Sequence, residues 1–348
     1  MATTKIGGGV VDLNSDNTAF KMPVGSSSFT GTPVTGMIRN NSSISNGTAQ
    51  TTFEYYDGTN WVGMSAPPLP DLEVDYLVVA GGGGGYNGGG GGAGGLRTSF
   101  GSTSGGGCAA ESTLTSLVLG TGYNVTVGGG APYGQSGNSS SFDTVSTTGG
   151  GYGFRNTSTN GGSGGSGGAG GSSGGANVAC EGFRGGTNSN TSSGAGGGGA
   201  GAAGQNQTSS DGGNGGVGLT VNILNATDAA TASVGEVSGS DVYYAGGGGG
   251  ADGNSGNGGT GGLGGGGNGA YTSYQDGTAN TGGGGSGALA APGNLNGAGG
   301  SGVVILRYSS FYTITVGAGI TQSSGSPFTD GTDKVSVLTA GTGTITFN

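Results

Sequence analysis

Histidine is absent from the 348 residues. Its absence removes the commonest general base, the Ser–His and Cys–His pairings and most zinc sites. Charge is scarce: eight Lys plus Arg stand against 18 Asp plus Glu, a balance of −10. The basic residues are scattered singly, so no positive stripe exists to engage nucleic acid. Eight prolines and no Gly-X-Y period exclude collagen. No run reaches the roughly 18 apolar residues of a membrane span, so no membrane insertion is expected. The opening MATTKIGGGVV has no charged-then-apolar pattern, which predicts no cleaved secretion signal and assembly in a cytoplasm. Cysteine is limited to Cys108 and Cys180. A lone pair is not a disulfide framework. The two read as small buried hydrophobes, with a bridge as the less favoured alternative because cytoplasmic assembly disfavours it.

What is abundant is glycine, 96 residues. Glycine loses the most backbone freedom on folding, and Gly/Ser-rich sequence usually makes a flexible coil. Here strand patterns interrupt the tracts: DYLVVAGG, STLTSLVLG, YNVTVGGG, GVGLTVNIL, DVYYAGGGGG and GSGVVILRY. Three regions separate by composition. Residues 1–70 have ordinary glycine content, with short strands at GGVVDLNS and TAFKMPVG and one or two hairpins around Met37, Phe53, Tyr55 and Trp61, turned at Asp57-Gly58. They end in the Pro-rich linker SAPPLPDLEVD. Residues 71–309 are the glycine-rich body. Residues 310–348 return to period-two β patterns, FYTITVGAGI and KVSVLTAGTGTITFN. No stretch reads as an amphipathic helix.

Ordered glycine tracts without side chains suggest a polyglycine-II bundle, extended helices of three residues per turn. Such a helix has no internal hydrogen bonds, so its amides must pair with neighbours. If neighbours pack on every side, any Cβ clashes and the interior must be glycine. Irregular loops between sandwich strands are the alternative, disfavoured because structureless loops longer than about 15 residues are rare in compact domains. The expected fold class is therefore all-β: a strand-framed polyglycine-II bundle flanked by small N- and C-terminal β regions, with no α-helix of note.

In order, DYLVVAGGGGG, LTSLVLGTGYNVTVGGGA, DVYYAGGGGG and GSGVVILRY resemble the glycine-rich domain of phage virion proteins and some bacterial surface proteins. The body is also similar in architecture to distal long-tail-fibre adhesins of T-even-like phages, which display loops at the tips of polyglycine-II helices. KIGGGVVDLNSDNTAFKMPVG and the segment from TGMIRNNSS to FEYYDGTNWVGM resemble linking or attachment modules of phage fibre proteins, above all those of marine phages. The resemblance implies a non-enzymatic virion fibre or adhesin, assembled in the host cytoplasm. It implies a homotrimer that attaches to other virion proteins through the N-terminal region and binds a host glycan or outer-membrane protein. The alternative is a purely structural head fibre, decoration protein or surface filament without a receptor. An ice-binding protein is disfavoured by the irregular strand insertions, and a depolymerase by the scattered acids.

Aromatics are the chief candidate contacts. Tyr86, Tyr133, Tyr152, Phe154, Phe183, Tyr271 and Tyr274 interrupt glycine-rich stretches. A lattice has no room for them, so they are expected on its faces or tip loops, where they suit sugar stacking. Covering lattice edges or a subunit interface is the competing role. Tyr243-Tyr244 sits in a strand motif and reads as structural. No cofactor is expected. For a metal, Asp71, Glu73 and Asp75 form the sole acidic cluster; spaced by two, they share one face of an extended segment. In a trimer such a face would ring an axis, and a solvated linker is the bland reading. Asp57, Asp211 and Asp252 sit in loops that lack the ligand spacing of a calcium site and read as turns. The glycine runs match G-x-G-x-x-G by composition alone, with no helix or Lys-Ser/Thr following.

Overall fold

The computed structural model describes residues 32, 35, 36, 38–45, 48–64 and 70–348, apart from 156, 157 and 255. The strands expected at GGVVDLNS and TAFKMPVG lie outside the described residues, as do Met37 and residues 65–69 of the Pro-rich linker. The chain divides into two compact units between Leu69 and Pro70.

In the first unit, β1 (Ile38–Ser45), β2 (Thr48–Tyr56) and β3 (Trp61–Met64) form an antiparallel meander in that order. The β2–β3 turn falls at Asp57-Gly58. Asp57 Oδ1 accepts from the Thr59 and Asn60 amides, both at 2.7 Å, an Asx turn that needs no metal.

The second unit is built on a 10-stranded antiparallel sheet. Its path uses β4 (Val74–Val79), β5 (Leu96–Thr98), β6 (Gly122–Val127), β7 (Ser140–Phe142) and β8 (Val145–Thr147). A smaller sheet joins β9 (Leu219–Thr220), β10 (Glu236–Ser238) and β11 (Asp241–Tyr244) beside one short helix, α1 (Ala226–Ala232). The main sheet is completed by β12 (Val303–Ser309), β13 (Ile314–Val316), β14 (Ile320–Gln322), β15 (Phe328–Asp330) and β16 (Asp333–Phe347). Its order is β5-β4-β12-β16-β6-β7-β8, with β13, β14 and β15 also pairing with β16.

Strands β4 and β12 are apolar at successive positions because both sheet faces are buried. Side chains alternate across a strand. Leu77, Val79, Val303 and Ile305 enter one core, with Leu96, Ile223, Leu224, Val242 and Tyr244. Tyr76, Val78, Val304 and Leu306 enter the other, with Val125, Phe142, Leu338, Ile345 and Phe347. The C-terminal region at 310–348 is β, as expected, yet it is not a body of its own. Long strand β16 lies between β12 and β6 in the middle of the sheet path. STLTSLVLG, expected as a strand, is not one: Leu114 makes a single bridge to Val74, Leu117 is buried, and Val118 and Leu119 are exposed.

Glycine segments grow from the strands: 80–85 follows β4, 89–95 leads into β5, and 245–251 follows β11. Their hydrogen bonds repeat every third residue. The amides of Gly81 and Gly84 go to Asn138 and Gln135, those of Gly82 and Gly85 to Gly300 and Gly297, and those of Gly83 and Tyr86 to Gly92 and Gly89. Segment 89–95 donates to three neighbours: Gly90 and Ala93 to Ala195 and Gly198, Gly91 and Gly94 to Gly285 and Gly282, Gly92 and Gly95 to Gly151 and Thr148. Its carbonyls accept from three more: Gly89, Gly92 and Gly95 from Tyr86, Gly83 and Ala80; Gly90 and Ala93 from Ala169 and Ser166; Gly91 from Gly248. Every backbone group of an extended, buried segment needs a partner, and six neighbouring segments supply them.

The approach of those segments sets the composition. A Cβ on Gly91 would stand 2.1 Å from Gly83 O, and one on Gly94 2.0 Å from Ala80 O. Where a segment lies at the rim, side-chain amide and carboxylate oxygens replace the missing neighbour. Asn214 Oδ1 accepts from Thr260 N, Asp211 Oδ1 from Asn257 N and Asp276 Oδ1 from Ala298 N, each at 2.8 Å. This is the role of Asp211, whose loop lacks the spacing of a calcium site.

Cys108 and Cys180 form a disulfide, Cα–Cα 5.2 Å, which corrects the expectation of two free buried thiols. Spacing in the sequence did not show that the turn at 178–181 comes back to the sheet end of the lattice, beside the 105–107 turn. Gly106 there, at φ +67°, lies against the Cys180 backbone, and Cys180 itself takes a positive φ of 61°.

Candidate functional site

Segment 80–85 leaves the sheet and 89–95 returns to it, so the turn between them lies at the far end. Segments 194–200 and 89–95 run in the same direction, since Gly90 and Ala93 meet Ala195 and Gly198 in step. Loop 188–193 therefore lies at that same end. The same reasoning places the turns at 132–135, 208–211, 252–254, 271–274 and 289–295 there. Sheet, helix and disulfide, with the turns at 105–107 and 178–181, occupy one end of the lattice, and the loops just named occupy the other.

The loop end brings together three of the predicted aromatics. Tyr86 stacks on Phe154, centroids 5.4 Å apart and 14° from parallel, and on Tyr133, 6.5 Å and 5°. Tyr86 and Tyr133 are 39% and 43% exposed, so the row is open to water in part. Tyr86 stands at the start of a tight turn whose central residues are Asn87 (φ 44°) and Gly88 (φ 88°). Its amide and that of Gly89 exchange hydrogen bonds with each other's carbonyls. Only glycine fits at 88: besides its positive φ, an added Cβ would meet Leu289 at 2.6 Å and Arg155 Cδ at 3.2 Å.

Arg155 closes one side. Its Nε donates to the Asn87 carbonyl at 3.1 Å, and Asn87 Nδ2 donates back to the Arg155 carbonyl at 3.2 Å. Burial pushes the Arg155 guanidinium below its usual basicity, and among the described residues it forms no salt bridge. Next to the same turn lies a cleft of about 340 Å³ lined by Tyr86, Asn87, Ala288, Leu289 and Asn296. Asn296 Oδ1 holds its rim in place by accepting from the Gly88 and Ala288 amides.

The remaining predicted aromatics are dispersed. Tyr271 and Tyr274 belong to their own loop at this end; Tyr274 is 39% exposed. Tyr152 is half-buried against Gly162 along a lattice segment. Phe183 approaches Gly107 at the sheet end, and Tyr244 is fully buried in the core. Asn87, Arg155, Leu289 and Asn296 were not singled out from the sequence. The one available signal was that Arg155 directly follows Phe154.

Asp71, Glu73 and Asp75 do share a face, opposite buried Leu72, Val74 and Tyr76. They line a cleft of about 240 Å³ with Thr113, Arg307 and Asp333. Asp75 Oδ1 accepts from Ser99 Oγ at 2.7 Å and Thr113 Oγ1 at 2.8 Å. Asp333 is paired with Arg307 at 2.9 Å. Among the described residues no group of three or more acidic or cysteine side chains is arranged to hold a metal. Nor is any helix there long and apolar enough to cross a membrane.

A family model described as a glycine-rich domain matches residues 59–309. The chain belongs to that glycine-rich domain family. No curated protein and no solved structure matches it.

Proposed function

We propose that the chain is a phage virion fibre or adhesin protein, non-enzymatic, which displays receptor-binding loops on a stiff glycine-rich scaffold. The observation that carries this reading is the sorting of the second unit: apolar sheet at one end, loops at the other, and a lattice without side chains between. A three-residue period in the donors, with six neighbours around segment 89–95, supports polyglycine-II as the backbone form of that lattice. Such a lattice adds no chemistry of its own and holds loops in fixed relation, which is what display requires. Exposed aromatics at the loop end suit contact with a host glycan or outer-membrane protein. The Cys108–Cys180 bridge suits a protein that works outside a reducing cytoplasm. Attachment to other virion proteins through the first unit, and a homotrimer that multiplies weak loop contacts, complete the proposal.

The test is adsorption: purified protein is mixed with candidate host cells and then challenged with whole phage. Saturable binding that blocks phage adsorption supports the adhesin. Presence on the particle without cell binding leaves a structural fibre or decoration protein in its place.

A further inference from the structure

We propose that the cleft beside the Tyr133–Tyr86–Phe154 row is a subsite for an anionic pyranose, the sugar ring seated against Leu289 and the exposed edge of Tyr86, with its acidic group reaching past the Gly88 turn, against which Leu289 and Arg155 both pack, to the Arg155 fork. This rests on the adhesin reading and names the ligand class of its loop end. Three independent observations converge. The first is the stacked row itself, exposed at Tyr86 and Tyr133. Aromatic rings beside fixed polar groups are how sugar faces are held, and here Asn87 and Asn296 line the cleft, each held in place by its own hydrogen bonds. The second is the cleft, whose volume of about 340 Å³ sits at the small end of the usual ligand range of about 300–1,000 Å³.

The third observation is Arg155. In a chain of net charge −10, Arg155 is a half-buried guanidinium that has no carboxylate partner among the described residues. Its Nε is anchored on the Asn87 carbonyl, which fixes the plane of the fork and leaves both terminal amino groups without a partner in the described structure. A planar fork of this kind matches a carboxylate or phosphate with two parallel hydrogen bonds. The acidic residues elsewhere on the surface repel polyanions over longer range, so selectivity rests on this one contact.

The experiment measures binding of the full chain to tetragalacturonate, to its fully methylated ester, and to a phosphomannan oligosaccharide. Tetragalacturonate is expected to bind, with the ester at least about tenfold weaker because the charged hydrogen-bond pair is lost. Arg155→Gln is expected to bring acid and ester to the same weak level, and Arg155→Lys to recover part of the difference. Tyr86→Ala weakens both ligands together. Preference for the phosphomannan, equally dependent on Arg155, keeps the anionic class and assigns it to phosphate. Equal binding of acid and ester, no binding of either anion, or an Arg155→Gln variant indistinguishable from the parent overturns the proposal. Unchanged thermal unfolding separates a lost contact from a lost fold. Host-cell adsorption run in parallel keeps the two readings apart: adsorption that survives Arg155→Gln sinks this subsite and leaves the adhesin standing, while no adsorption by the parent sinks the adhesin itself.

Discussion

The lattice and the sheet solve one problem, the burial of a backbone, by opposite means. Around β4 and β12 the backbone is hidden by side chains: Leu77, Val78, Val304 and Ile305 are fully buried and fill both faces. Stability there comes from apolar area, about 25 cal/mol per Å². In segment 89–95 the backbone is hidden by other backbones, and the gain comes from hydrogen bonds worth about 1 kcal/mol net each. Against that gain stands the large conformational entropy of glycine. The sheet tolerates substitution by repacking; the lattice has nothing that can repack. The sheet therefore supplies the cooperative core, and the lattice, anchored on strands at one end, converts it into rigid reach.

The comparison breaks most sharply in the lattice interior. Gly91→Ala and Gly130→Ala, whose new methyls would lie 2.1 Å from Gly83 O and 1.9 Å from Gly299 O, are expected to cost more than about 4 kcal/mol each. Denaturant unfolding, or simple loss of soluble protein, reads the effect. Next comes the disulfide, which closes a loop of 72 residues. Cys108→Ser with Cys180→Ser is expected to lower stability by about 4 kcal/mol in the chain-entropy account, and reduction of the native protein should match it. Leu77→Ala, which empties part of the sheet core, is expected to cost about 2–5 kcal/mol. If it proves costlier than Gly91→Ala, the division of labour between the two regions is wrong.

A smaller effect is read by pH. Glu181 is buried beside β5 at the sheet end, with Oε2 accepting from Thr148 N at 2.7 Å. Burial holds its carboxyl above the ordinary 4.5, and the Thr148 hydrogen bond offsets this only in part. The folded chain therefore keeps its proton to higher pH than the unfolded one. This contribution is present in full below pH 4.5 and is lost as pH rises through the raised folded value. Glu181→Gln removes that slope from the stability profile and keeps an acceptor for Thr148. Smallest of all is Gly129→Ala. Its Cβ would meet only Asn138 Nδ2, at 3.7 Å, so a change within about 0.5 kcal/mol is expected one residue away from a position that admits no methyl at all.

Much of this architecture could be read before the structure. Strand-to-glycine transitions such as YLVVAGGGGG mark where a sheet hands over to a lattice, and steric logic says why glycine continues it. The neighbours in that lattice could not be read. Segment 89–95 pairs with residues near 83, 150, 168, 197, 248 and 284, and glycine carries no side-chain pattern to encode such a choice. The same silence hid the disulfide. The aromatic row was half legible: Tyr86, Tyr133 and Phe154 stood out as bulky residues among small ones, but their meeting depends on lattice order. Arg155 and Asn296 are ordinary in sequence and gain their meaning only beside Tyr86. The central place of β16 was hidden too, because alternation predicts a strand without saying where in the sheet it lies.

The three-residue period has a consequence for how such a chain can change. One residue inserted inside a segment turns every later donor by about a third of a revolution, away from its own neighbour and towards the wrong one. Lattice lengths are therefore quantised in threes, and an error at one place is felt by six segments. A loop at the far end carries no such arithmetic and accepts any length or composition. Tolerance of change is therefore expected to be sorted by position: the scaffold admits almost no substitution, while the loops that face outward can be rewritten.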